Sequence, residues 1–100
     1  MTKSLFEVIR VLKAAEPNLR SRGICHLAVF GSVARGADRP DSDVDISIDI
    51  EPGRPFSLFR MEETRLLLAD ALGRSVDLGE TSTFRPNVRQ AFDRERVTVF

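Results

Sequence analysis

The sequence predicts a small α/β domain, a mixed sheet flanked by helices. Three observations carry that reading. Ile24 to Phe30 is a short, nearly continuous apolar run bounded by Gly23 and Gly31, the pattern of a strand buried on both faces in mid-sheet. Val44 to Ile50 alternates strictly, with Val44, Ile46, Ile48 and Ile50 on one side and Asp43, Asp45, Ser47 and Asp49 on the other. Two further stretches place apolar residues at helical spacing. A chain of 100 residues suits one domain over residues 1–100. With 42% hydrophobic and 30% charged residues, it has enough core material to fold.

The elements follow in order. Leu5, Val8, Ile9 and Leu12 make one helical face, with Ser4 as the expected N-cap. Pro17 and Asn18 are expected to end that helix, leaving a loop through Gly23. After the buried strand, Ser32 to Gly36 suits one short helical turn opening from the strand end, and Ala37 to Ser42 is a polar loop. The alternating strand follows, then a loop with Pro52, Gly53 and Pro55. Ser57 to Leu72 reads as the longest helix, with Leu58, Met61, Leu68 and Leu72 near one stripe, Leu66 and Ala69 beside it, and Gly73 as its stop. Ser75 to Gly79 is a short strand. Pro86 to Arg94 is a last helix, with Val88, Ala91 and Phe92 inward, and Val97 to Phe100 an edge strand. The seven phenylalanines are expected to lie mostly in the core, with Phe56 or Phe84 also able to cap an adenine ring.

Composition excludes several functions. Fifteen basic residues balance fifteen acidic ones, so the excess positive charge that bulk nucleic acid or an anionic membrane requires is absent. The basic residues are scattered and form no nucleic-acid stripe. The single cysteine, Cys25, forms no internal disulfide and reads as a small buried hydrophobe. No apolar run approaches the roughly 18–20 residues of a membrane span. Glu7 interrupts the apolar start, a poor signal peptide, so the expected compartment is cytoplasmic. His26 has no second histidine or cysteine placed to complete a metal site and is expected to be a core or sheet-edge residue.

The acidic strand face carries the chemistry. Asp43 and Asp45, two apart on one strand, project from one face roughly 6–7 Å apart at the backbone. Carboxylates that close repel unless a positive charge lies between them, and Mg²⁺ prefers such oxygen ligands. Taken alone, the pair also fits a solvated face balanced by arginines, and Asp49, farther along, reads as solvated. Gly31-Ser32 ends the buried strand where a helix begins. Glycine admits close backbone approach, and the helix-start N–H groups with the Ser32 hydroxyl suit a phosphate; a plain serine cap is the alternative. Together the two features place a phosphate cradle beside a cation clamp, which a nucleoside triphosphate with its divalent cation requires.

The run from Gly31 to Asp45, Gly-Ser-Val-Ala-Arg-Gly-Ala-Asp-Arg-Pro-Asp-Ser-Asp-Val-Asp, resembles the nucleotidyltransferase signature of the DNA polymerase β superfamily. More narrowly, it resembles the minimal nucleotidyltransferases, small antitoxins partnered with HEPN-type toxins. The resemblance implies a polymerase β-like fold and a third carboxylate on a later strand, a position that Asp77 matches between Val76 and Leu78. It implies that Gly31 and Ser32 hold the terminal phosphates of ATP. It implies further that Asp43, Asp45 and Asp77 are the catalytic residues and ligands of two Mg²⁺ ions, or Mn²⁺ instead. Arg35 and Arg39 are within sequence reach of the phosphates, or pair with Asp38, Asp41 or the acidic face. The implied acceptor is a tyrosine hydroxyl of a cognate HEPN-type toxin, AMPylated with release of pyrophosphate. Two other readings stand beside it: an antitoxin that neutralises its partner by binding alone, and a small-molecule nucleotidyltransferase subunit. The chain has no tyrosine of its own to modify. The apolar tail offers a surface for self-association or toxin contact.

Overall fold

A computed structural model describes residues 5–100. The Ser4 cap lies outside them. The elements are α1 (Leu5–Ala14), α2 (Glu16–Ser21), β1 (Ile24–Phe30), α3 (Gly31–Arg35), β2 (Val44–Ile50), α4 (Leu58–Leu72), β3 (Val76–Glu80), a 3₁₀ turn (Thr81–Thr83), α5 (Pro86–Glu95) and β4 (Val97–Thr98). The four strands form one mixed sheet in the order β3-β2-β1-β4. β1 pairs antiparallel with β2 and β4, whereas β2 pairs parallel with β3. Parallel neighbours need a crossover, and α4 supplies it. The mixed sheet flanked by helices is the expected architecture.

The period-2 strands decide which side is core. Val44, Ile46 and Ile48 of β2 and Leu27 and Val29 of β1 are buried beneath Val8 and Leu12 of α1, Leu19 of α2, and Leu68 and Leu72 of α4. The opposite face carries Asp45, Ser47 and Asp49. There Phe92 of α5 closes over Phe30 and Phe84, with all three ring pairs 5.4–5.6 Å apart. No helix among the described residues is long and apolar enough to cross a membrane.

Several expectations change. The segment after α1 is a second helix and not a loop. Pro17 sits in its first turn, where no backbone N–H is needed, so it starts a helix here instead of ending one. β1 is buried on both faces over residues 27–29, as expected, but not nearer its start: His26 is exposed, and Cys25 is half-buried beside a register shift between Ile24 and His26, its thiol donating to the Asp49 carbonyl. The inward stripe of α4 runs through Met61, Thr64, Leu68 and Leu72. Buried Thr64 gives its hydroxyl to the Arg60 carbonyl, while Leu58 is 90% exposed and Leu66 also faces out. Leu58 opens the first turn, just after the Ser57 cap that accepts from the Arg60 N–H, and the helix has not yet reached the sheet. Val88, Phe6 and Phe59 are likewise exposed. Of the phenylalanines, Phe92 alone is fully buried among the described residues. β4 lies on the sheet edge as expected, and Leu27 continues its hydrogen bonding to Val99 and Phe100.

The two leucines separate by measurement. Leu68→Ala is expected to cost about 2–5 kcal/mol in urea denaturation. Leu58→Ala should stay within about 0.5 kcal/mol of the parent.

Candidate active site

The site is assembled by strand register. β2 and β3 run parallel with Asp45 directly beside Asp77. Both side chains leave the sheet on the face away from the helical core, because Val44, Ile46 and Val76 occupy the other. Asp43 is exposed immediately before β2. Its position is anchored by the next residue, since the Val44 N–H donates to the Ser75 carbonyl at 2.9 Å.

On the other side of Asp45 lies the β1–α3 junction. Phe30 is its register partner across the β1–β2 ladder, and the chain turns at Gly31 into α3. Gly31 has φ +75°, and a Cβ built there would overlap Asp45 Oδ2. Both the backbone angle and the close approach therefore require glycine. No side chain caps the start of α3, so its first N–H groups stand free beside the half-buried Ser32.

Gathering these carboxylates has an electrostatic consequence. Burial, with the charges of Asp77 and Asp43, pushes the Asp45 carboxyl up to about 6, and Arg35 only partly offsets this. Among the described residues no three His, Cys, Asp or Glu form a ready-made chelating cluster. The donor set nonetheless fits a hard divalent cation: all three groups are carboxylates, and their mutual repulsion is what a cation relieves.

The arginines divide. Arg35 donates to Glu95 Oε1 of α5 at 3.0 Å, a partner that sequence reading missed, in place of Asp38 or Asp41. Arg39 is exposed, and its guanidinium has no ion-pair partner among the described residues. Asp38 pairs instead with Arg74, also missed, at 3.0 Å. No local periodicity flags either contact, because each spans dozens of residues. Phe84 is held in the aromatic cluster. Asp49 is half-buried, and with His26, Ser47, Arg89 and Arg96 it lines a cavity of about 360 Å³ bordered by Phe92. That hollow contains none of the three carboxylates.

Known proteins resemble this chain in sequence and in fold. Residues 12–99 match the model of a nucleotidyltransferase domain. A protein adenylyltransferase, MntA, of Thermococcus cleftensis is 37% identical over 97 residues, covering 96% of each chain. A toxin–antitoxin crystal structure with AMP-PNP superposes with TM-score 0.74 at 22% identity, over 90% of this chain and 72% of that one. A Shewanella oneidensis complex of a tri-AMPylated HEPN toxin with its MNT antitoxin superposes with TM-score 0.67 at 18% identity, over 92% and 71%. The two structures share the fold.

The raised Asp45 carboxyl fixes a pH dependence. Between about pH 4 and about pH 6 the folded chain keeps a proton that the unfolded chain has released, so stability falls as pH rises through that window. Asp45→Asn removes the repelled charge. After allowance for solvent screening of a half-buried group, the gain is about 1 kcal/mol above pH 6, or roughly 4–8 °C in Tm. Thermal melts in chelator-treated buffer should show this at pH 7.5 and near-equal Tm values at pH 4.

Proposed function

The chain belongs to the nucleotidyltransferase domain family, and we propose that it transfers AMP from ATP to a hydroxyl of a partner protein. One observation carries the reading: Asp45 and Asp77 are register neighbours on parallel strands, and Asp45 packs against Gly31, which leads into Ser32. A phosphate chain would lie along the Gly31–Ser32 turn, on the free N–H groups and the serine hydroxyl. Its α-phosphorus would then face the carboxylates.

Asp43, Asp45 and Asp77 would hold two Mg²⁺ ions. When bound, these would neutralise charge on the attacking and leaving oxygens of an in-line displacement. The acceptor oxygen forms a bond to the α-phosphorus as the bond to the bridging oxygen of the β-phosphate breaks, and pyrophosphate departs. Asp77, exposed on β3, would accept the hydroxyl proton. Arg39 is free to meet the triphosphate, whereas Arg35 must first exchange Glu95 for it.

The acceptor hydroxyl would be supplied by a partner protein. The adenylyltransferase name of the Thermococcus relative and the AMPylated toxin in the Shewanella complex support a HEPN-type toxin as that partner, and a tyrosine as the acceptor follows from the family resemblance. AMP on such a hydroxyl would neutralise the toxin, making this chain a catalytic antitoxin.

Intact-mass spectrometry tests the reading. The chain is mixed with its genomic-neighbour protein, ATP and Mg²⁺, with Asp43→Asn/Asp45→Asn in parallel. AMP-sized additions on the neighbour, lost by at least a hundredfold in the double variant, are expected. Fragmentation should place them on tyrosine. A stable complex with no addition, and toxin neutralised equally by both proteins, would establish neutralisation by binding instead.

A further inference from the structure

Arg74 stands between the end of α4 and β3, outside every motif discussed above. Its side chain is only 8% exposed, and that of its ion-pair partner Asp38 11%. The guanidinium reaches three acceptors on the loop joining α3 to β2: Asp38 Oδ2 at 3.0 Å, the Arg39 carbonyl at 3.1 Å and the Ser42 carbonyl at 2.7 Å. The loop is tightened within itself, as the Ser42 N–H donates to the Arg39 carbonyl and the Arg39 N–H to Ser42 Oγ, both at 2.9 Å.

These contacts bracket Asp43. Ser42, just before it, is held through its carbonyl by Arg74, and Val44, just after it, is held through its N–H by the Ser75 carbonyl. Two residues on, the same segment presents Asp77. One stretch, residues 74–77, thus fixes where Asp43 sits and supplies the carboxylate that faces the site with it.

The energetics favour positioning over simple stabilisation. A buried ion pair is weak support for stability once desolvation is counted. Arg74 also leaves its Nε buried with no hydrogen-bond partner, which adds a penalty. A rigid fork that holds one side-chain and two main-chain oxygens at once is, however, what defines a loop's position, and lysine cannot reproduce it.

We infer that Arg74 is a positioning residue for nucleotidyl transfer, setting Asp43 relative to Asp77 by anchoring the loop of residues 37–42. The inference rests on the function proposed above. Since the anchored loop carries Arg39 and leads into Asp43, loss of Arg74 should lower kcat and also raise KM for ATP.

The experiment pairs hydrogen exchange, read by mass spectrometry on the full chain, with steady-state AMP transfer to the partner. The proteins are wild type, Arg74→Met, Arg74→Lys and Asp38→Asn. In Arg74→Met, exchange over residues 37–43 should quicken at least tenfold while β1 and α4 keep wild-type protection. Its kcat should fall about tenfold to a hundredfold, the range for a misplaced catalytic group. Arg74→Lys should be intermediate, and Asp38→Asn should shift in the same direction by less. Wild-type loop exchange in both Arg74→Met and Asp38→Asn would overturn the inference. So would loss of protection along the whole of Arg74→Met while Arg74→Lys and Asp38→Asn keep the wild-type kcat. A wild-type protein that modifies no acceptor would overturn the function itself, and the exchange data would still report whether Arg74 anchors the loop.

Discussion

The parallel pairing of β2 with β3 is the constraint from which the site follows. It brings Asp45 and Asp77 side by side, and the Gly31 turn closes on Asp45 from the opposite side. Left to themselves, these groups would separate. They are held because the same strands bury Val44, Ile46, Ile48 and Val76 on their other face beneath α1, α2 and α4. Apolar burial at about 25 cal/mol per Å² is ample to overcome the repulsion of partly solvated carboxylates. Burial together with this repulsion holds the Asp45 carboxyl raised, and a bound cation would offset both.

Around this edge the chain distributes its neutral overall charge unevenly. Arg74 is committed to the loop before Asp43, and Arg35 to Glu95 on α5. Arg39 is exposed, without an ion-pair partner among the described residues. The cations beside the carboxylates are therefore mostly engaged, and the site presents net negative charge toward solvent. An ATP molecule, itself anionic, would be repelled by such an edge without a divalent counter-ion.

The strand Val44–Ile50 and its acidic face were legible in the sequence because they obey a period of two, and a slip of one residue would turn Asp45 into the core. The Gly31-Ser32 junction was legible as a glycine at the end of an apolar run. The close approach that makes Gly31 indispensable was not, since it depends on Asp45 across the ladder. Local patterning misplaced Leu58 because the helical stripe carries no information on where a helix first meets the sheet. It misread Pro17 because proline both ends and begins helices, and the deciding fact is the burial of Leu19. Arg74 and Glu95 were invisible for a related reason: each acts on a residue far away in sequence, and in isolation each looks like an ordinary surface charge.

The central claim is that Asp45 and the Gly31–Ser32 turn form one nucleotide edge completed by a divalent cation. Calorimetric titration with a non-hydrolysable ATP analogue tests it most directly, on wild type and on Asp45→Asn, each with Mg²⁺ and with chelator. The account predicts binding by wild type that depends on Mg²⁺ and is lost in the variant even though the variant folds more stably. Equal binding by both proteins, or binding indifferent to Mg²⁺, would contradict it.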